Sequence, residues 1–413
     1  LQILTTRFTY HQRKKNSVWP LFFKALGVTF FNTSQVIPDK KRVDTFEQYL
    51  LEGDELADIA AQELFMSKRS HKDSFRLMNE VLENGLTNST DDIPESFKKL
   101  IEQSYLEPHW LNRDKLERGA AVCRRLGLDA FSVLGDLALL GGYSNPDISK
   151  PLTFTGALNG DKTFDRVGET SQFWYDVTRP NALMIGNKGF KSAVKVRMMH
   201  AIVRQRMLQH PKWDSNAWGF PINKSDALAT NVGFSMVMVY GSKMLGYHIS
   251  NKEVEEVLHL WKYIGYLMGD DVDWLPNTVQ EALQSLLLIT LANANIPDEG
   301  SIKLANDYLS SLKPRSSLKE PIKYSIEYLT FIKHKTYAQY LIPASMHKQL
   351  KIPTATFTLP YIAFVQTPFI FVADKIRASI PLLNNLAEQY GAFQQDKVIE
   401  IVMGERQASY IPH

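Results

Sequence analysis

From residue 43 to residue 332 the apolar side chains recur at spacings of three and four, and strict alternation is almost absent. Such spacing lays apolar groups in one stripe along an α-helix, whereas a half-buried strand needs a period of two. An all-α protein is therefore expected. The spacing predicts helices over residues 43–65, 73–86, 95–105, 116–126, 129–140, 166–177, 188–209, 225–245, 250–268, 278–292, 302–312 and 320–332. Pro94 opens the third of these, and Pro180 and Pro211 stop two others. Gly127 breaks the pair between 116 and 140, and Gly141-Gly142-Tyr143-Ser144-Asn145-Pro146 is a cluster of turn formers. Two short β-rich runs, 153–158 and 354–359, have no clear hairpin partners.

A chain of 413 residues can bury a large core without covalent staples. The expected organisation is an N-terminal extension (1–42), a helical domain (43–312) and a C-terminal helical extension (313–413) packed on the same domain, with the Ser/Pro/Lys segment 313–319 as a surface linker. Lysine and arginine number 47 against 44 acidic residues, a net charge of +3, which is too balanced for a protein that binds nucleic acid by charge alone. The single cysteine, Cys123, excludes internal disulfides, thiolate zinc clusters and haem attachment through CxxCH. Arg13-Lys14-Lys15 precede Trp19-Pro20-Leu21-Phe22-Phe23, but Lys24 cuts that apolar run short of a signal-peptide core, so a cytoplasmic or peripherally membrane-associated protein is expected. Residues 352–373 carry no charge and match a membrane span in length, yet Pro353, Pro360, Gln366 and Pro368 interrupt them. That run reads either as a buried, kinked helix or as a patch in peripheral contact with a membrane.

No GxGxxG, Walker A, HExxH or GxSxG pattern occurs, so dinucleotide, P-loop, zincin and serine-hydrolase chemistries lose their usual support. One Glu-x-x-His pair, Glu256 and His259, lacks the second pair and further carboxylates of a di-iron bundle. With Glu255, Lys262 and Tyr263 nearby, His259 is expected on a polar, solvated face.

The 188–209 helix carries a different histidine. Ala193, Val196, His200, Val203 and Met207 make one apolar stripe, with His200 in its middle. Arg197 and Arg204 stand at i−3 and i+4 from it. A lone histidine on an apolar face is commonly a hydrogen-bonded core residue. A neutral imidazole in an apolar wall also suits an axial haem ligand, and arginines beside it suit the propionates.

The segment Lys195-Val196-Arg197-Met198-Met199-His200-Ala201-Ile202-Val203-Arg204 resembles the Arg-x-x-His-Ala-x-x-Arg signature of the MpaB/latex-clearing-protein oxygenase family. Further resemblances follow in order over roughly Arg118 to Asp270: the Gly141–Pro146 cluster with Thr155-Gly156-Ala157-Leu158, the Arg-x-x-x-Thr pattern of Arg166-Val167-Gly168-Glu169-Thr170, the loop Gly219-Phe220-Pro221-Ile222-Asn223-Lys224-Ser225-Asp226, and the helix from Leu258 to Gly269.

The resemblance implies a single large helical domain of globin-like packing, with non-covalent haem b held between helices. His200 would be the axial iron ligand, with Arg197 and Arg204 as cofactor-binding residues. Arg166, Glu169 and Thr170 would lie on the distal side as catalytic residues. The implied activity is that of a haem-dependent dioxygenase using dioxygen on an apolar, alkene-bearing substrate of isoprenoid or lipid-like type. The best-known rubber oxygenases have a lysine at the place of Glu169, which can cap the iron in a way a carboxylate does not. They also have an upstream carboxylate base, where this chain has Asp147 and Lys150 nearby. The alternatives are a haem carrier or sensor without turnover, and a haem-free helical interaction protein.

Overall fold

Helix signals in this chain are local, and most of them decide where a helix begins. The computed structural model describes residues 14, 17–67, 69–86, 92–155, 162–292, 296–353 and 359–404, and every regular element among them is a helix. In chain order these include α1 (Trp19–Phe31), α2 (Lys40–Tyr49), α3 (Glu55–Phe65), α4 (His71–Asn84), α5 (Glu95–Tyr105) and α6 (Arg113–Arg125). After a bend of 89° comes α7 (Gly127–Tyr143), which contains a π turn over Leu134–Leu139. Then follow α8 (Pro146–Thr155), α9 (Lys162–Thr178), α10 (Lys188–Leu208), α11 (Ser215–Trp218) and α12 (residues 224–244), with a second π turn at Gly233–Val237. The chain continues through α13 (Asn251–Leu267), α14 (Val279–Ala292), α15 (Glu299–Ser311), α16 (Pro321–Leu341), α17 (Ala344–Gln349), α18 (Leu359–Ser379) and α19 (Pro381–Met403).

Side-chain caps explain the starts. Asp39, Asp54, Ser70, Asn112, Asn223 and Asp298 each accept a first-turn N–H, and Ser250 with Glu253 forms a reciprocal capping box on α13. The Asp54 cap also splits the single helix expected over 43–65. Its carboxylate accepts from Ala57 N at 3.2 Å and starts α3 afresh. Gly53 just before it lies so close to Phe220 and Arg204 that a Cβ would sit 2.7 Å from the phenylalanine ring. The β-rich run at 153–158 is another correction. Residues 153–155 end α8 as helix, because tertiary packing outweighs β propensity in so short a run, and 156–158 lie outside the described residues. Residues 354–358 also lie outside them.

The main core forms around α13, which buries Val257, Leu260, Trp261, Ile264 and Leu267 against α6 and its neighbours. Each such side chain contributes about 1.5–3 kcal/mol on burial. Gly119 lets α6 and α13 touch, since a Cβ there would lie 2.2 Å from the Glu256 carbonyl. Burial among these helices pushes the Cys123 thiol up to about 12, so it stays protonated and inert.

The C-terminal helices pack on the same body. Arg124 ties α6 to Glu388 of α19 at 2.5 Å, and Gln395 donates to the carbonyls of Cys123 and Gly127. Asp136, buried in the π turn of α7, accepts from Tyr308 of α15 at 2.9 Å and meets His334 of α16 at 2.8 Å. The described part of the uncharged run at 352–373 is not a buried helix. From Ala363 onward α18 turns Phe364, Val365, Phe369 and Val372 to solvent. No single helix among the described residues is long and apolar enough to cross a membrane.

Candidate functional site

Helix α10 runs for 21 residues and presents Phe190, Ala193, Val194, Met198, Ala201 and Ile202 to the core. Its His200 is only partly covered by neighbouring atoms but is set deep in the protein. Burial lowers its pKa from 6.5 to about 4, and the charges of Arg204 and Arg166 push in the same direction. Its imidazole is therefore neutral at pH 7. Among the described residues it has no hydrogen-bond partner, unlike the satisfied core histidine that spacing alone favours. A neutral ring with a free lone pair, set deep yet still partly exposed, is chemically fit to ligate iron.

Helix α9 packs against α10. It brings Arg166, Glu169 and Thr170 to one face, as their i, i+3, i+4 spacing requires. The Arg166 guanidinium bonds the Glu169 carboxylate at 2.7 Å, and the Thr170 hydroxyl donates to the Arg166 carbonyl at 3.1 Å. Arg166 is near enough to His200 for its charge to lower the histidine's proton affinity.

The two π turns, on α7 and α12, pack against each other. Single π turns inside α-helices concentrate at functional sites. At one point the helices meet tightly, since a Cβ on Gly241 would lie 2.4 Å from Val133. At Gly141, Gly142 and Gly233, by contrast, a Cβ would meet nothing within 4 Å, although all three are partly buried. These glycines border open space.

The two flanking arginines lie elsewhere than the signature implied. Arg197 grips Asp54 at 2.6 and 3.1 Å and also donates to Gln103 at 3.0 Å. Arg204 pairs with Asp58 and donates to the carbonyls of Pro221 at 3.1 Å and Ile222 at 3.2 Å. Both side chains are buried, and their donors are spent on α3, α5 and the 219–223 loop. They clamp α10 in place. Gly269 completes the clamp: with φ +82° and a Cβ position 2.0 Å from the Asp54 carboxylate, only glycine fits there. Sequence spacing could not reveal these partners, because Asp58 lies 146 residues from Arg204.

Near the expected upstream base, Asp147 is buried and Lys150 pairs with Asp298. His259 needs a correction. It is buried, accepts from the Asn112 backbone N–H at 3.1 Å and packs edge-on against Trp110, and burial lowers its pKa to about 4. Its face is dry because the neighbouring charges are matched: Glu256 pairs with Arg118 at 2.5 Å, and Lys262 lies over the Trp110 ring at 4.9 Å. No group of three or more His, Cys, Asp or Glu side chains among the described residues could hold a metal ion.

The chain thus folds as an all-α domain with an imidazole on α10 unpartnered among the described residues, within electrostatic reach of Arg166. The comparisons assign its class. Residues 124–366 match the family described as ER-bound oxygenase mpaB/B′/rubber oxygenase, catalytic domain, and the chain belongs to that family. It is 24% identical over 188 residues to the rubber oxygenase of Streptomyces sp. (strain K30), covering 45% of this chain and 46% of that protein. The match thus spans about half the length of that curated relative. The fold is that of a solved structure of latex clearing protein in the closed state, with a TM-score of 0.65 and 19% identity over 87% of this chain and 92% of that one.

Proposed function

We propose that this protein is a haem b-dependent oxygenase that uses dioxygen to cleave an apolar, alkene-bearing substrate of the isoprenoid or lipid-like class. The observation that carries the reading is His200: a deeply set, neutral imidazole with no hydrogen-bond partner among the described residues, within electrostatic reach of Arg166, which the family signature also marks. Family membership and the name of the rubber oxygenase relative support the oxygenase class. When bound, haem supplies the iron that activates dioxygen.

The chain's own groups do the rest. His200 offers its lone pair to the iron and stays neutral through the physiological range. Gly141, Gly142 and Gly233 leave the space for the macrocycle. Arg166, held in place by Glu169, would offer its guanidinium N–H groups to bound dioxygen without having to reorganise. Thr170, exposed on α9, bonds the Arg166 carbonyl with its hydroxyl and would have to turn to serve the oxygen. Glu169, held by Arg166, is positioned to take or give a proton at its carboxylate. Arg197 and Arg204 act at one remove by fixing the helix that carries His200.

The test is aerobic turnover of detergent-dispersed squalene, a short isoprenoid alkene, by the haem-loaded protein. Dioxygen consumption matched by carbonyl products trapped with a hydrazine reagent is the expected result. Stable haem binding without either would leave a haem carrier or sensor instead.

A further inference from the structure

Helix α18 is anchored by a narrow stripe. Ala363, Thr367, Ile370, Asp374 and Arg377 face the body, and Thr367 bonds the Met244 carbonyl while Arg377 holds Asp374 and the His248 carbonyl. The rest of the described helix is in solvent, and much of it is strongly apolar. Phe364 is 64% exposed, Phe369 73% and Ile376 52%. The neighbours on either side continue the pattern. Helix α19 exposes Leu382, Leu386 and Phe393, and α16 exposes Ile326 and Leu329. Water-facing helices ordinarily carry polar groups there, and contiguous apolar surface of this kind marks a face that meets another phase or partner.

Charge says which. Residues 313–380 hold ten lysines and arginines against three acidic residues, a surplus of seven in a chain whose net charge is only +3. The acidic groups of α19 are matched by protein partners: Glu388 by Arg124, Asp396 by Arg179 and Glu400 by Lys397. On α16 and α18, Lys323, Lys333 and Arg377 are paired with Glu320, Asp129 and Asp374, while Lys335 and Lys375 lie over Phe331 and Phe371 with no acidic partner among the described residues; exposed phenylalanine and isoleucine beside such lysines is the chemistry of a helix lying in the interface of an anionic bilayer. A second copy of the chain fits worse, because each copy would bring the same positive surplus to the contact.

We propose that the outer face of α16, α18 and α19 docks the protein peripherally on an anionic lipid bilayer, with Phe364, Phe369 and Ile376 entering the acyl boundary and the lysines meeting headgroup phosphates. No part of the docking depends on haem. The surface would place the protein where apolar substrates partition.

The experiment is flotation of the full chain with phosphatidylcholine vesicles and with phosphatidylcholine–phosphatidylglycerol vesicles. The chain should float with the mixed vesicles, far less with phosphatidylcholine alone, and less in high salt. The double variant Phe369→Glu/Ile376→Glu should lose binding by about tenfold or more, as expected when two large apolar groups can no longer leave water. Circular dichroism and Soret absorbance should be unchanged in that variant, so failure of docking is distinguishable from failure of the haem reading. Two results overturn the proposal: a wild-type chain that stays behind with both vesicle types, or a vesicle-free dimer that this variant converts to monomer, which would make the face a contact between copies.

Discussion

Arg204 decides between two roles, and the decision can be made without haem. In the structure its guanidinium pairs with Asp58 and serves two loop carbonyls, with 5% and 12% of the two side chains exposed. Truncating it leaves a buried carboxylate with no counter-charge, at a cost of about 3–5 kcal/mol. Burial already raises the Asp58 pKa and Arg204 opposes that rise, so in Arg204→Ala the carboxyl should take up a proton, which limits the loss to the lower part of that range. Urea unfolding of the haem-free protein, followed by circular dichroism, measures the loss. Removing both charges should cost much less, because a buried ion pair is often replaceable by apolar groups of similar volume, so Arg204→Met/Asp58→Leu should recover most of the stability. If Arg204→Ala leaves the haem-free protein within about 0.5 kcal/mol of wild type while weakening haem binding, the clamp is wrong and the arginine serves the cofactor.

Arg166→Ala and Thr170→Ala should reduce turnover more than haem content, and Glu169→Gln should slow turnover by about 10²-fold with haem and fold retained, as for a lost proton relay; steady-state rates beside Soret titration check all three. Gly233→Val keeps a helical backbone but fills the open space, so it should weaken haem binding about tenfold or more while the haem-free protein changes by less than about 1 kcal/mol; equal haem affinity would place the macrocycle elsewhere. His200 and His259 each fall from 6.5 to about 4 on folding, so their contribution is complete above pH 6.5 and is lost as pH falls toward 4, on the order of 3 kcal/mol apiece at most. Urea midpoints of the haem-free protein between pH 7 and pH 4.5 should drop with pH, and His259→Gln should flatten the slope.

What the sequence made legible was local. The stripe around His200, the Arg166–Thr170 face and the helix opened after Pro94 all follow from spacing within a few turns, and the structure keeps them. What it hid was set by distant partners. The break between α2 and α3 depends on Asp54, whose carboxylate serves both a helix cap and Arg197, 143 residues away. His259 seemed solvated because the charges around it were visible in sequence, but their partners Arg118 and Trp110 were not. The π turns on α7 and α12 were not read from spacing at all, although one inserted residue rotates the following stripe by about 100°. Residues 352–373 were ambiguous because absence of charge fits burial and lipid contact equally, and only the exposure of Phe364 and Phe369 separates them.

The central claim is that His200 holds haem, and the absorption spectrum of the purified, haem-supplemented protein tests it most directly when compared with that of His200→Ala. The account predicts a Soret band in the wild-type protein, extractable into acid butanone because no CxxCH anchors it, and loss of most of that band in the variant with helical circular dichroism intact. A variant that retains its full Soret band, or a wild-type protein that takes up no haem, would contradict it.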